Sequence, residues 1–351
     1  MSDGSVGLTA PKSELKRSLL NMLSGWNVLD LTEPTRLGGG SSQENWAFDA
    51  LFTGSDGARS WRPLLMRRDP VGGVVDTDRD VEFALLQVLS GTGLPVAHVY
   101  AYDDGTRLQR RAMIVDRLPG RAHRAVLRDA DPLHLGEQGR HRLAATLPNL
   151  LARVHRIDPH RLRLAEILPY PATDPARSEL ERWTNALDAA ELEPQPALRA
   201  TAAWLTRHLP TPPDRITLVH GDFRPANILI DNGVVTALLD WELARLGDPH
   251  DDLGWYTCSV YRKEHFIAGH FELDDFLRAW SRETGFVVES ERLHFWQVMS
   301  TFRLAIIALT AINAFCQGAT DRPSAPADKV AAMALRETGL LGSFAGTGVA
   351  L

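Results

Sequence analysis

Asp222, Asn227 and Asp240 have the types and spacing that phosphoryl transfer needs. Leu218, Val219, His220, Gly221 and Asp222 lead into a short polar stretch, and Asn227 follows five residues after Asp222. A second apolar run, Ala237 to Leu239, ends at Asp240, with Trp241 and Glu242 behind it. One carboxylate can receive the proton of an acceptor hydroxyl. An amide oxygen and a second carboxylate can hold magnesium against a nucleotide, because that ion prefers hard oxygen ligands. Singly, each of the three reads equally well as a turn residue or a helix cap. Together, between runs of Ile, Leu and Val, they read as a site. Gly221 permits unusual backbone angles before the acid, and Pro225 stiffens the loop between acid and amide.

The elements around these loops follow from apolar spacing. Residues 11–24 place Leu15, Leu19, Leu20 and Leu23 on one helical face. Residues 37–48 read as strand, glycine-rich turn and strand, and residues 62–68 as a further strand. A helix is expected over 77–90, then strands over 96–102 and 111–117. The pattern changes at Pro119 and Gly120. Helices are expected over 134–156, twice within 177–208, over 272–317 and over 327–338. This predicts an α+β, kinase-like bilobal fold: a small antiparallel sheet with one helix over 1–117, and a larger, mainly helical part over 118–351. The apolar stretch 304–315 reads as a buried helix too short to span a bilayer, interrupted by Asn313 and preceded by Arg303.

Composition excludes other classes. The chain has 351 residues, is 44% hydrophobic and carries a net charge of −6, so nothing draws it to nucleic acid or an anionic membrane. Two cysteines, Cys258 and Cys316, make neither a disulfide framework nor a Cys-rich zinc site. With no apolar core of signal-peptide type among the first residues, a cytoplasmic setting is expected. His265 and His270 lie five apart, but no cysteine or neighbouring acid completes a zinc site, so packing or surface roles are expected. Trp183, Trp204, Trp255, Trp280 and Trp296 read as core.

His220, Gly221, Asp222 and Asn227, with Leu239 to Glu242 behind them, resemble the aminoglycoside phosphotransferase and choline kinase-like group, relatives of the protein kinases. The order of motifs from about residue 37 to 256 fits that group. Gly38 to Trp46 and Leu65 to Pro70 are similar to its branch of kinase-like domains fused to acyl-CoA dehydrogenases. The resemblance implies Asp222 as catalytic base, with Asn227 and Asp240 as ligands of Mg2+. It implies Gly38, Gly39, Gly40, Ser41 and Ser42 as the loop over the phosphates of ATP or GTP, and Asp116, Arg117 and Leu118 as the hinge against the base, near Met113 and Val115. ATP would sit between the two lobes. Arg67 aligns with the strand cation that meets the α- and β-phosphates, usually a lysine; this chain has no lysine between Lys16 and Lys263. Arg68 is the alternative, one residue on. Glu82 matches the acid that fixes this cation. Asp252 matches the aspartate that braces the catalytic loop, and His220 is structural beside it. His155 matches a packing position.

The resemblance implies a hydroxyl of a small molecule as acceptor, and there the signal thins. Residues 241–291 hold eleven acids against five basic residues, which suits either a cationic substrate or a solvated face. Arg121, His123, Arg124, Arg128 and His134 suit an anionic one, such as a hydroxyacyl-CoA. A catalytically silent nucleotide-binding module is the alternative to an active kinase.

Overall fold

A computed structural model describes residues 12–37, 44–69, 79–171, 174–318 and 327–340. It divides into two units, Met1–Pro119 and Gly120–Leu351.

The first unit contains α1 (Lys12–Met22), β1 (Val28–Leu31), β2 (Thr35–Arg36), β3 (Glu44–Thr53), β4 (Arg59–Arg68), α2 (Arg79–Leu89), β5 (Val99–Asp103) and β6 (Ala112–Asp116). Its antiparallel sheet runs β1-β3-β4-β6-β5, with β2 also paired to β3. Strands β3 and β4 stay in register from Glu44–Arg68 to Thr53–Arg59. Their buried positions alternate around Phe48, Ala50 and Phe52 on one strand and Leu64 and Met66 on the other, as a half-covered sheet requires. Leu15, Leu19 and Leu23 of the first helical segment cover that face. Gly38–Ser42, the expected phosphate loop, and residues 77 and 78 of the expected helix lie outside the described residues.

The second unit contains α3 (Gly136–His155), α4 (Pro175–Ala190), α5 (Pro196–Arg207), β7 (Thr217–Val219), β8 (Ile228–Asp231), β9 (Val234–Leu238), β10 (Arg245–Gly247), α6 (His250–Thr257), α7 (Arg262–His265), α8 (Leu273–Thr284), α9 (Ser290–Cys316) and α10 (Ala327–Glu337). Local chemistry sets several boundaries. Asp174 accepts the N–H groups of Ala176 and Arg177 and, with Pro175 in the first turn, starts α4. Glu272 and Asp275 form a reciprocal capping box on α8, which Gly285 ends in the left-handed conformation.

Helix α9 forms the spine of this unit, packing with α4, α5, α6 and α10. Gly254 on α6 makes one crossing possible: a Cβ there would lie 2.6 Å from the Trp296 carbonyl oxygen. The helix begins at Ser290, earlier than the apolar stretch suggests, and is long and apolar enough to cross a membrane by length and composition. Yet 61% of its most apolar window is buried in the unit. It also carries Arg303, 1% exposed, against Glu179 (3.9 Å) and Asp251 (3.4 Å). All five tryptophans expected in the core are buried.

Candidate active site

Two small hairpin-like pairings present the site in the second unit. β7 pairs with β10, and β8 with β9, all antiparallel. The loop after β7 carries Asp222, the turn before β8 carries Asn227, and the end of β9 leads to Asp240. The backbone N–H of Leu239 donates to the Asn227 carbonyl at 2.8 Å, joining the two loops. Gly221 has a φ of +85°, and a Cβ on it would lie 2.5 Å from the Leu243 carbonyl oxygen. Only glycine fits before the acid.

Asp252, fully buried on α6, holds this loop from behind. Its Oδ2 accepts the His220 N–H and its Oδ1 the Gly221 N–H, each at 2.8 Å. A third donor follows from chemistry. The indole N–H of Trp280 can only donate, and it reaches His155 Nδ1 at 3.0 Å. His155 therefore carries its hydrogen on Nε2 and gives it to Asp252 Oδ2, also at 3.0 Å. Burial by itself would raise the Asp252 pKa, but the bond from His155 and the charges and donors around it hold it at about 2. His220 has the same kind of order. Its Nδ1 accepts the Asp222 N–H at 3.2 Å, so its Nε2–H goes to the Leu239 carbonyl at 2.9 Å. Burial lowers its pKa. His220 thus stitches the Asp222 loop to the residue preceding Asp240, with both ring nitrogens committed to backbone groups.

The Asp222 carboxylate is gripped on both oxygens. Trp255 Nε1, one turn beyond Asp252 on α6, donates to Oδ1 at 2.8 Å. Arg224 Nε lies 2.9 Å from the same oxygen. Asn227 Nδ2 donates to Oδ2 at 2.7 Å and to the Asp222 carbonyl at 3.0 Å. Some 14% of the Asp222 side chain remains exposed. Burial pushes its pKa up, against Arg224, His220 and Asn227, which lower it. A carboxyl shifted this way is a better proton acceptor than a surface aspartate. Asp240 itself is left-handed, with φ of +61°. Trp241 behind it anchors its indole N–H on Leu238 at 3.1 Å.

Beneath Asp252, the neighbouring Asp251 enters a buried group of two acids and two arginines. Arg245 pairs with Asp251 and lies 3.4 Å from Glu179, and Arg303 faces both acids. The Arg303 guanidinium also sits 4.3 Å from the centre of the Trp255 ring. The indole that grips Asp222 is therefore backed by a cation.

In the first unit the two adjacent arginines have different partners. Arg67 on β4 meets Glu82 on α2 at 2.7 Å, while Arg68 meets Glu44 at 2.8 Å. Glu82 also accepts Arg79 at 3.1 Å, and Arg79 reaches Asp69 at 2.5 Å. Glu44 takes Arg110 as well; these arginines outweigh its burial and hold its pKa at about 2. At the end of β6, the N–H groups of Asp116 and Arg117 go to the His98 and Pro63 carbonyls at 3.0 Å each. The Asp116 carboxylate accepts the Tyr100 hydroxyl at 2.8 Å. No described residue accepts the Leu118 N–H.

Sequence reasoning missed Trp255, Arg224 and Arg79. Arg224 and Arg79 had weak signals, two and three residues from Asp222 and Glu82. Trp255 had only its place one turn after Asp252. The acidic tract also resolves. Asp248, Asp251 and Asp252 are buried, Glu264 pairs with Arg124, and Glu272 and Asp275 cap α8. Its charge is spent mainly on structure.

Residues 34–293 match the model of the phosphotransferase enzyme family. Acyl-CoA dehydrogenase family member 10 of Mus musculus is 30% identical over 205 residues, 57% of this chain and 18% of that protein. Family member 11 of Rattus norvegicus is 24% identical over 79% of this chain and 37% of that protein. The chain thus spans well under half the length of these relatives. A candidate aminoglycoside phosphotransferase from Ralstonia eutropha shares the fold, with TM-score 0.71 and 23% identity over 93% of this chain and 98% of that one. Aminoglycoside phosphotransferase APH(4)-Ia, solved with AMP-PNP and hygromycin B, aligns with TM-score 0.59 and 17% identity over 96% and 100%. With its small antiparallel sheet, its larger helical unit and this match over most of its length, the chain belongs to the phosphotransferase enzyme family, on the bilobal kinase-like fold.

Proposed function

We propose that this chain is an ATP- or GTP-dependent O-phosphotransferase acting on a hydroxyl of a small molecule in the cytoplasm. One observation carries the reading. Asp222 is fixed on both carboxylate oxygens, in a loop that Asp252 braces from behind. That is the preorganisation a general base needs. Asp222 takes the proton of the acceptor hydroxyl as its oxygen bonds to the γ-phosphorus. The bond from phosphorus to the β-bridging oxygen breaks, and the nucleoside diphosphate leaves.

Asn227 and Asp240 would hold Mg2+, which supplies charge neutralisation for the phosphates. The donor set fits. Asn227 commits Nδ2 twice to Asp222, so its Oδ1 is the atom that would serve as a ligand, and Asp240 would add a carboxylate. In the first unit, Arg67 would contact the nucleotide phosphates, aimed by Glu82 and, behind it, Arg79. Arginine serves here in place of lysine because it stays charged and presents a forked donor to phosphate. Gly39, Gly40, Ser41 and Ser42 would cover the phosphates, and Leu118, beside Asp116, would offer its N–H to the purine edge.

The relatives favour one further reading of the acceptor. The match to proteins named for acyl-CoA dehydrogenation suggests a hydroxyl on an acyl thioester. A coupled assay of nucleoside diphosphate release, with Mg-ATP and Mg-GTP, should be run over aminoglycosides, macrolides, choline-like amines, sugars and hydroxyacyl-CoAs. Asp222→Asn serves as the control. The proposal expects turnover on one class, lost in Asp222→Asn, with the nucleotide-induced rise in melting temperature retained. Nucleotide binding without turnover on any hydroxyl would point to a silent module. Unchanged turnover in Asp222→Asn would remove Asp222 as the base.

A further inference from the structure

The N-terminal end of α3 and the turn before α8 bring together a second set of ligands. Glu137 and His141 stand four apart on α3, so they project from one face of the helix. His270 arrives from a distant part of the chain. Its turn is well fixed: Ile267 and Phe271 bridge across it, the His270 N–H donates to the Ile267 carbonyl at 3.0 Å, and the Gly269 N–H donates to Glu272 at 2.7 Å. One ligand atom from each of Glu137, His141 and His270 lies within 4.8 Å of the other two. The rings of His141 and His270 face each other with centroids 4.5 Å apart and planes 32° apart. His265, the nearer partner by sequence, is instead buried, with Nδ1 on the Tyr256 carbonyl at 2.7 Å. Glu272, two residues on, is committed to capping α8, so the acid and second imidazole beside His270 come from α3.

The geometry points to a divalent-cation site of the zinc class at Glu137, His141 and His270. Two imidazoles and one carboxylate are a zinc donor set, and they leave a fourth tetrahedral position for water or an outside ligand. The nitrogen donors make the site chemically distinct from the all-oxygen set of Asn227 and Asp240, since magnesium and calcium favour oxygen. The small closure that tetrahedral bonding requires is available because all three side chains are at least partly exposed. The ion ties α3 to the segment leading into α8. Those two helices also meet at His155 and Trp280, the pair behind Asp252. Occupancy therefore stiffens the frame that supports the Asp222 loop from a point outside it.

The test uses the untagged full chain in millimolar Mg2+, with Zn2+ and Co2+ as probes. Zn2+ should bind one to one by calorimetry and raise the melting temperature, and Co2+ should give the visible absorption of a low-coordinate site. His141→Ala and His270→Ala should each weaken Zn2+ binding by tenfold or more and remove the Co2+ spectrum, while Glu137→Gln should weaken it less. These positions are at least partly exposed, so the metal-free melting temperatures should stay near wild type. No stoichiometric binding, or equal affinity in the His141→Ala/His270→Ala double variant, would overturn the assignment. None of these readouts depends on the reaction catalysed.

Discussion

Trp255→Phe separates a base that is merely placed from one that is electrostatically tuned. The substitution keeps an aromatic ring over Arg303 but deletes the indole N–H that donates to Asp222 Oδ1 at 2.8 Å. A hydrogen bond to an ionised group contributes roughly 1.5–3 kcal/mol. If all of it positions the base, kcat falls by ~10- to 150-fold. The Asn227 bond to Oδ2 and the Arg224 ion pair to Oδ1 remain, so the loss should lie near the lower end. The indole N–H also favours the ionised carboxylate, so its removal must raise the Asp222 pKa further in the direction burial already pushes it. The acid limb of the pH profile of kcat should therefore move to higher pH. The nucleotide KM should hardly change, because no contact to the nucleotide is assigned to Trp255. The assay is steady-state diphosphate release across the acid range, well below the melting temperature. The smaller ring leaves a void costing roughly 1–3 kcal/mol of stability. A fall in kcat with an unmoved acid limb would show that Trp255 acts by packing alone. An acid limb moved to lower pH would refute the electrostatic argument.

Two stability predictions follow from the groups behind Asp222. The Asp252 pKa lies at about 2 against an ordinary 3.8, so its ionised form stabilises the fold above pH 4 and that contribution fades as pH falls toward 2. The difference corresponds to ~2 kcal/mol; urea denaturation should find the wild type losing about that much more than Asp252→Asn over this interval, and equal acid sensitivity would refute it. Arg303→Leu should destabilise by roughly 3–5 kcal/mol, because the buried Glu179 and Asp251 then keep Arg245 as their one buried counter-charge, with only the half-exposed Arg182 added on Glu179. A loss below 1 kcal/mol in chemical denaturation would mean that the four charges are not a coupled group.

The loops bearing Asp222, Asn227 and Asp240 were legible because their signals are local. A glycine before an acid, a proline in a short loop and flanking runs of Ile, Leu and Val each act within a few residues. The sheet of the first unit was legible for the same reason, since strand alternation is a two-residue period. Arg67 was less secure. A one-residue register shift exchanges it with Arg68, and only the pairing of β4 against β3 and β6 turns Arg67 toward Glu82 and Arg68 toward Glu44. The acidic tract stayed open between two readings because a count of charges does not say which are buried.

The sequence alone determined the candidate base, the two metal-ligand candidates, two adjacent arginines as candidates for the strand cation, and the expectation of a sheet-bearing and a helical part. The tertiary structure decided what holds them. Trp255 reaches Asp222 across 33 positions, His155 reaches Asp252 across 97, and Trp280 reaches His155 across 125. The same long reach brings His270 to Glu137 and His141. The difference is physical. Local periodicity and turn chemistry are set by neighbours along the chain, whereas a hydrogen bond between distant side chains exists only once helices have packed and their backbones have fixed where each group points.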